Sequence, residues 1–383
     1  MQHVAVVGAG IVGLLTAHEL RRRGHRVELR SPGIAEGASY AAAGMLAPAA
    51  EIQHGQGPLW DIMREAGELH REFAAHLSGA GYRDTSALVV GRDAADLADL
   101  RGLVDVQRTT GARVRELTGS ALHREEQALR RGLAGGVLLD RDHQVDPRRL
   151  AAVVLEALTA TDLPGPPVRI RREAVADCAG IEADAVVLAA GLGVSGIDGP
   201  HRELDLALRP VRGDILRLRV PASLLLPGEE NLVHRTVRAL VRGRPVYLVP
   251  REDRTLVLGA SSREDDLEGS SAGAVLQLLQ DAAEILPAVR ETELIEVTTR
   301  DRPGTPDDLP LLGPVPGAEH VIVSTGYHRH GILLAAWAAK RTADLVEGIP
   351  PTPRAAAQLH AVRPDRFTPV AAHRSAPHLE ETR

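Results

Sequence analysis

The chain has 383 residues and a formal net charge of −6, and 44% of its residues are hydrophobic and 25% charged. This is an ordinary globular composition with room for two domains. The negative charge and the aromatic content of 2% argue against binding to nucleic acid or to an anionic membrane. Cys178 is the single cysteine, which excludes an internal disulfide and predicts a cytoplasmic location. We find neither an apolar run of 18 residues nor a signal-peptide pattern, and expect no membrane association.

The first thirty residues predict a βαβ unit. "HVAVV" (3–7) is short and β-branched and ends at a glycine, as buried strands do. "IVGLLTAHELRRRG" (11–24) has the basic last turn and terminal glycine of a helix. "HRVELR" (25–30) then completes the unit as a second, parallel strand.

Gly8, Gly10 and Gly13 have the G-x-G-x-x-G spacing between this strand and this helix. The first glycine allows a tight turn, the second lets the backbone approach a pyrophosphate, and the third permits close helix packing. The free N–H groups of the helix start would face the phosphates. The position predicts a dinucleotide site, and a glycine-rich turn without a ligand is the alternative.

One residue of the usual pattern is missing. An acidic side chain normally ends the second strand and binds the adenosine ribose, but here Arg30 and Ser31 occupy that position. Strand alternation turns the nearby Glu28 away from the ligand edge. Ser31 offers only a neutral hydrogen bond, so we expect an unconventional ribose contact.

Further elements lie outside the βαβ pattern and imply a second domain on a mixed sheet, inserted between pieces of the first. They are helices at 60–77 and 271–286, a strand at 183–191, a hairpin of 245–251 with 255–261, and a strand at 321–326 followed by a helix from 331. "GIPPTPR" (348–354) is expected to close the last helix, and the residues beyond Phe367 to form a disordered tail.

Several motifs occur in an order that resembles the flavin-dependent amino-acid oxidases of the D-amino-acid oxidase family, and glycine oxidase in particular. They are "VVGAGIVGL", "GASYAAAGMLAPAAE", "DRDHQVDPRRL", "ADAVVLAAG", "RPVRGDILRL", "VYLVPREDRTLVLGAS", "RPGTPDDLPLLGPVPG" and "TGYHRHGILLA". The resemblance runs from residue 3 to about residue 367.

The resemblance implies an α/β fold with a Rossmann-type FAD-binding domain and an interleaved α+β substrate domain on a mixed, mostly antiparallel sheet. The FAD-binding domain would comprise 1–85, 141–205 and 301–367, the substrate domain 86–140 and 206–300, and the tail 368–383. The cofactor would be FAD. The implied reaction oxidises a small amine-bearing carboxylate to an imine and reduces O₂ to hydrogen peroxide, in some members for thiamine biosynthesis.

The resemblance also implies a substrate site. Arg302 would bind the substrate carboxylate, which suits a guanidinium that grips it bidentately and keeps its charge. Tyr247 would add a hydroxyl, and Arg329 would lie beside flavin and substrate. Neighbouring candidates are Arg300, Asp301 and Ser261. On residue type alone, Arg302 would be a solvated surface arginine and Tyr247 a packed strand tyrosine.

The implied cofactor contacts lie in six segments of the chain, and Met45 among them could equally be a packing residue. They are Gly8, Gly10, Ile11, Val12, Gly13, Arg30, Ser31, Ala38, Ser39, Ala43, Gly44, Met45, Val175, Ala190, Gly191, Gly326, Tyr327, His328, Arg329, His330, Gly331, Ile332 and Leu333. No acid–base residue is predicted, because hydride transfer to flavin from a neutral amine needs mainly positioning.

"YHRH" (327–330) is predicted to be the turn before a helix whose free N–H groups, with Arg329, face a reduced, negatively charged flavin. A metal bound by His328 and His330 would need at least one more ligand, and we predict none.

Three departures from the glycine oxidase pattern put free glycine in doubt: His330 replaces an asparagine, Arg300 and Asp301 precede the carboxylate-binding arginine, and the segment between 167–175 and 183–191 is short, as if a hairpin were trimmed. Asp301 could compensate Arg302 or bind a second polar group of the substrate. A larger glycyl-bearing substrate in secondary metabolism, a dehydrogenase with another electron acceptor and a non-catalytic binder therefore stay open, as does a homo-oligomer.

Overall fold

The computed structural model describes residues 1–53 and 55–369. The predicted tail, 368–383, lies outside the described residues except for its first two. The strands, in chain order, are β1 (His3–Ala9), β2 (Arg26–Ile34), β3 (Met45–Leu46), β4 (Ala87–Gly91), β5 (Val114–Thr118), β6 (Gly135–Leu139), β7 (His143–Gln144), β8 (Arg169–Arg171), β9 (Ala185–Leu188), β10 (Arg209–Arg219), β11 (Thr236–Val241), β12 (Arg244–Pro250), β13 (Thr255–Gly259), β14 (Glu293–Gly304), β15 (Leu311–Val315) and β16 (Ala318–Thr325).

The helices, in the same order, are α1 (Ile11–Arg22), α2 (Ala38–Ala41), α3 (Gly57–His76), α4 (Ala94–Thr109), α5 (Gly119–Glu125), α6 (Pro147–Thr159), α7 (Ala272–Ile285), α8 (Gly331–Val346) and α9 (Pro353–Ala361). Short 3₁₀ turns connect several of them, and one of these turns, His328–His330, directly precedes α8.

A six-stranded sheet carries the predicted βαβ unit. Its strand order is β15-β16-β9-β1-β2-β8, and all pairings are parallel except the hairpin of β15 and β16. The inner strand β1 is buried from Val4 to Val7. Helices such as α1 and α8 cover one face of it, and 3₁₀ turns and loops around Cys178 and Val194 cover the other. The predicted strand, helix and parallel strand at the N-terminus are therefore confirmed.

An eight-stranded sheet forms the second layer, in the order β14-β10-β13-β12-β11-β4-β6-β5. Of its pairings in the described residues, that of β4 with β11 is parallel and the others are antiparallel. Strands from both halves of the chain contribute to each sheet. The predicted fold class, a Rossmann-type unit interleaved with a mixed and mostly antiparallel sheet, is confirmed.

Most of the other sequence-predicted elements are present with shifted ends. Helix α7 begins after Ser271, whose side chain accepts a hydrogen bond from the Ala274 amide. The predicted hairpin of 245–251 with 255–261 is present as β12 paired with β13. The prediction that 348–354 closes the last helix is wrong, because α9 follows it, with Thr352 as its N-cap and Pro353 in its first turn.

The two sheets meet around a cavity. The carboxyl ends of β1, β9 and β16 border it on one side, and the eight-stranded sheet, from its edge strand β14 to β11, borders it on the other. Crevices at the carboxyl ends of parallel strands are the usual ligand sites of α/β folds. Strand β14 stays in the eight-stranded sheet up to Gly304, so it crosses the domain boundary predicted at 300/301.

Candidate active site

The cavity between the sheets has a volume of about 730 Å³ and is lined by nearly all of the predicted site residues. All six predicted substrate-site residues line it, and so do the predicted cofactor contacts other than Gly13 and Gly326. Elements that are more than 300 residues apart in sequence thus converge on one space. A volume of this size is typical of ligand and cofactor sites.

The glycine loop forms one end of the cavity. Gly8 has φ of +107°, and a Cβ there would stand 2.5 Å from the Ala189 carbonyl oxygen, so only glycine is compatible with this turn. A Cβ on Gly13 would collide with the carbonyl of Gly8, which explains why Gly13 serves packing and does not line the cavity. A Cβ on Gly10 would meet only the Ser39 hydroxyl, at 3.4 Å, so the backbone at Gly10 borders open space.

The start of α1 suits an anionic group. Its first turn contains no acidic residue, and the Ile11 amide donates to the Ser39 hydroxyl over 3.0 Å. The remaining free N–H groups and the positive end of the helix dipole face the loop. Together with the glycine loop, this start is a cradle of the kind that holds the pyrophosphate of a dinucleotide such as FAD.

Two acidic residues lie at the end of the cavity where the adenosine ribose was predicted, although neither is at the position that the glycine motif specifies. Glu28 is buried and bound to Arg30 over 2.5 Å, so it is turned away from the cavity. The hydroxyl of Ser31 donates to the Gly33 carbonyl. Glu36 and Glu173, which we did not predict, line the cavity beside Ser31 and Val175. Both stand outside the spacing rule, so the glycine pattern gave no signal for them.

The segment 38–45 contributes the middle of the cavity wall. Arg251 donates a hydrogen bond to the Ala43 carbonyl and so anchors this segment. A Cβ on Gly44 would stand 2.7 Å from the ring of Pro147, so the backbone there is closely packed. The thioether of Met45 lies 3.8 Å from the guanidinium of Arg238. Ala38 and Ser39 line the same wall.

The start of α8 faces the cavity from the opposite side. Gly326 has φ of +74° and makes the turn after β16, but it does not line the cavity. The buried hydroxyl of Tyr327 bonds to Ser324 over 2.8 Å, and burial raises the Tyr327 pKa. Burial lowers the pKa of His330 to about 3, so this imidazole is neutral. Gly331, Ile332 and Leu333 complete the lining in the first turn.

Arg302 and Tyr247 face each other across two glycines of the eight-stranded sheet. Arg302 lies on β14 and Tyr247 on β12, while the strands between them, β10 and β13, carry Gly213 and Gly259. A Cβ on Gly213 would collide with the Arg302 guanidinium, and one on Gly259 with the Tyr247 hydroxyl. Because these two positions are glycines, the guanidinium and the hydroxyl can both lie against the eight-stranded sheet, which forms the floor of the cavity.

Arg302 has no carboxylate at ion-pair distance among the described residues, and its one protein acceptor is the Ser261 carbonyl, at 3.3 Å. Burial raises the pKa of Tyr247 to about 12, although Arg302 and Arg238 lower it. The tyrosine is thus a neutral hydroxyl donor beside a cation that lacks a counter-ion. This pair can bind an anionic group such as a carboxylate.

Asp301 does not compensate Arg302. It binds Arg212 bidentately, at 2.7 and 2.9 Å, and the hydrogen bond from Arg212 lowers the Asp301 pKa. The neighbouring Arg300 donates to the Glu36 carbonyl over 2.9 Å. The Ser261 hydroxyl donates to the buried Asp214 over 2.6 Å. Of the two alternatives for Asp301, compensation of Arg302 is therefore wrong, and contact with a second polar group of the substrate stays a prediction.

An ion-pair group that the sequence reading missed lies at the same end. Glu51, which is 8% exposed, binds Arg238 and lies 3.1 Å from the Nε of Arg329. Burial alone would raise the pKa of Glu51. The charges of Arg238 and Arg329 outweigh this effect and hold the pKa well below its usual range. Arg238 is the cross-strand neighbour of Tyr247. The group therefore presents two cations and one anion to the cavity.

A second cleft, of about 850 Å³, lies among α1, α3, α8 and α9, away from the glycine loop. Its charges largely neutralise one another, as in the ion pairs of Arg23 with Glu19 and of Arg341 with Glu65. No predicted site residue lines it. Residues 1–53 and 55–369 contain no cluster of three or more His, Cys, Asp or Glu suited to a metal, and no helix there is long and apolar enough to cross a membrane.

Comparison with known proteins is consistent with this geometry. The sequence profile described as "FAD dependent oxidoreductase" matches residues 3–345. Glycine oxidase of Geobacillus kaustophilus is 31% identical over 365 residues, which are 90% of this chain and 92% of that protein. The bifunctional protein ThiO/ThiG of Nostoc sp. is 29% identical over 357 residues, and the match spans only 52% of its length.

The solved structure of glycine oxidase from Geobacillus kaustophilus superposes with a TM-score of 0.80, at 28% identity, covering 92% of this chain and 96% of that one. The fold, the dinucleotide cradle and the sequence match agree. The chain belongs to the family of FAD-dependent oxidoreductases typified by D-amino-acid oxidase.

Proposed function

We propose that this enzyme oxidises the amine of glycine or a similar small amino acid to an imine. The observation that carries the proposal is the pair of Arg302 and Tyr247, which faces the cavity with no carboxylate at ion-pair distance of the guanidinium in the described part of the chain. A small carboxylate is the natural counter-ion for such a pair. The relatives named glycine oxidase support the same substrate class.

In this proposal the residues of the chain position the substrate. The guanidinium of Arg302 binds the carboxylate, and the neutral Tyr247 hydroxyl donates to the same group. This fixes the α-carbon at one distance from the floor of the cavity, which is the main contribution that positioning makes to such a reaction. Bound FAD would accept the hydride and pass the electrons to O₂, which gives hydrogen peroxide.

The start of α8 and Arg329 would stabilise negative charge that develops during the reaction. The free N–H groups of the first turn face the cavity, and a helix start favours an anion. Glu51 is bound to Arg329 and withdraws part of its positive charge from the cavity. Arg329 is therefore both a charge-stabilising residue and part of an ion-pair group.

A second candidate is the same oxidation of a larger polar molecule with a glycine-like unit, as in a tailoring step of secondary metabolism. The ion-pair group of Glu51, Arg238 and Arg329 favours it, because charged side chains at the substrate end could bind a second polar group. A dehydrogenase that uses another electron acceptor has no separate structural support, and peroxide production distinguishes it from the oxidase.

The remaining assignments are proposals of the same kind. We propose an FAD-binding domain of 1–85, 141–205 and 301–367 and a substrate domain of 86–140 and 206–300; the membership of the two sheets supports this division except at 301–304, which belong to β14 of the eight-stranded sheet. A cytoplasmic location is supported by the single cysteine. A role in thiamine biosynthesis is supported by the ThiO names of relatives.

The decisive experiment is the visible spectrum of the purified FAD-loaded enzyme, recorded without oxygen before and after glycine is added. Bleaching of the oxidised flavin bands, followed by one peroxide per amine when air is admitted, supports the proposal. Arg302→Lys keeps the charge but loses the planar fork, so it should need a higher glycine concentration for half-bleaching. A flavin that glycine does not bleach but a larger glycyl compound does would favour the second candidate.

A further inference from the structure

Two loops bring a histidine and an aspartate together at the substrate end of the cavity. Asp308 belongs to the loop between β14 and β15, and His328 to the turn before α8. The Nδ1 atom of His328 lies 3.3 Å from Oδ1 of Asp308. The His328 side chain is 14% exposed, and the residue lines the cavity. The contact is at ion-pair distance without hydrogen-bond geometry, so the Asp308 carboxylate acts on the imidazole through its charge.

The second ring nitrogen, Nε2, has no protein partner in the described part of the chain. It is not among the buried polar atoms that lack a partner, so it keeps some exposure. Nδ1 is buried without a hydrogen-bond partner in both His328 and His330, but Nε2 of His330 accepts a hydrogen bond from Nε of Arg329 over 3.4 Å. Of the two histidines in the turn, His328 is therefore the one whose Nε2 is left for a molecule in the cavity.

The backbone at both residues is in the left-handed region. His328 has φ of +45° and Asp308 has φ of +59°, and neither is a glycine. Such conformations persist only where the surroundings hold them, and they concentrate at functional sites. A turn needed only to start α8 would be more stable with glycine or asparagine at this position.

The charges around His328 keep it neutral and able to accept a proton. Burial lowers its pKa, Asp308 raises it, and Arg302, Arg329 and Arg209 lower it further. Glu51 and the neutral His330 are the other titratable groups of the same turn region. A substrate carboxylate on Arg302 would remove part of the repulsion, so substrate binding would strengthen the base.

We propose that His328, beside the carboxylate of Asp308, is a catalytic base that takes the proton of the substrate ammonium group. The inference rests on the proposed function. In this step the N–H bond of the ammonium breaks, the proton goes to Nε2 of His328, and the lone pair stays on the substrate nitrogen. The C–H bond of the α-carbon can then break with its electron pair going to FAD, while the nitrogen lone pair forms the C=N bond.

The test is the pH dependence of flavin reduction by glycine without oxygen, measured by stopped flow in the FAD-loaded enzyme. His328→Gln removes the base, so reaction then requires the minor, already neutral amine of the solution. At neutral pH its rate at limiting glycine should fall by roughly 10²-fold, the lower range for an acid–base group. The deficit should shrink about tenfold per pH unit toward the pKa of the free amine.

Asp308→Asn keeps the imidazole and removes the carboxylate that raises its pKa. The acid limb of the wild-type profile should therefore move to lower pH in this variant. His320→Gln replaces an exposed histidine of β16 and serves as the matched control, with an unchanged profile. The affinity for FAD, measured by fluorescence titration of the apoenzymes, reports separately whether His328 acts only as a cofactor contact.

The outcomes separate the two proposals. If His328→Gln lowers the rate by the same factor at every pH, His328 is structural and the inference is overturned. If His328→Gln does not retain FAD, the acid limb of Asp308→Asn decides, and an unshifted limb overturns the inference. If no amino acid bleaches even the wild-type flavin, it is the proposed function that fails.

Discussion

The glycine at position 213 offers a test of the carboxylate-binding site that leaves every charged residue in place. A Cβ at this position would collide with the guanidinium of Arg302, which is the far end of a flexible side chain. The collision should therefore displace Arg302 and leave the fold intact. We expect Gly213→Ala to weaken binding of an amino acid through its carboxylate, without a matching loss of stability.

The magnitude follows from the hydrogen bonds at stake. Arg302 has one protein acceptor, the Ser261 carbonyl, and no carboxylate at ion-pair distance in residues 1–53 and 55–369. A hydrogen bond to a charged group contributes about 1.5–3 kcal/mol, so the loss should raise the half-saturating glycine concentration by roughly 10- to 150-fold. The rate at saturation should change less, because the α-carbon can still reach the same space.

The assay is anaerobic flavin reduction as a function of glycine concentration, with the urea midpoint as the measure of stability. Gly102→Ala is the matched control: Gly102 is an exposed position inside α4, where a Cβ would meet nothing within 4 Å. It should leave glycine binding unchanged and add about 0.5–1 kcal/mol of stability. Unchanged glycine binding in Gly213→Ala would refute the assigned geometry, and so would an equal loss for an amine without a carboxylate.

Two further predictions concern single buried groups. Tyr247→Phe should raise the half-saturating glycine concentration by about 10-fold. Because the pKa of Tyr247 is about 12, the pH profiles of glycine binding by the wild type and the variant should run parallel below pH 10. A gap between them that changes with pH would show that the phenolate takes part. His70 donates from Nε2 to the Ile332 carbonyl over 2.7 Å, and burial lowers its pKa from 6.5 to about 4. The unfolded chain therefore binds more protons between these values, so stability should fall as pH drops from 6.5 to 4, and His70→Gln, which keeps a donor, should flatten that fall in urea unfolding.

The sequence predicted those parts of the site whose signal is local. Gly8 and Gly13 follow a spacing rule that describes one turn and one helix start, and both have the strained or crowded backbone that the rule requires. The βαβ unit, α7 and the hairpin of β12 and β13 follow from hydrophobic periodicity and turn residues in the same way. Helix α9 was missed because its short amphipathic pattern follows a proline-rich stretch that reads as a terminus.

The tertiary structure alone decided which charges meet. Glu51 and Arg238 are 187 residues apart in sequence, and Arg212 and Asp301 are 89 apart, so no periodicity could pair them. For the same reason, Arg302 has no carboxylate partner among the described residues: its neighbour in sequence, Asp301, binds Arg212 on β10. Backbone conformation is set by neighbours along the chain, whereas the counter-ion of a buried charge is set by whichever strand the fold places beside it.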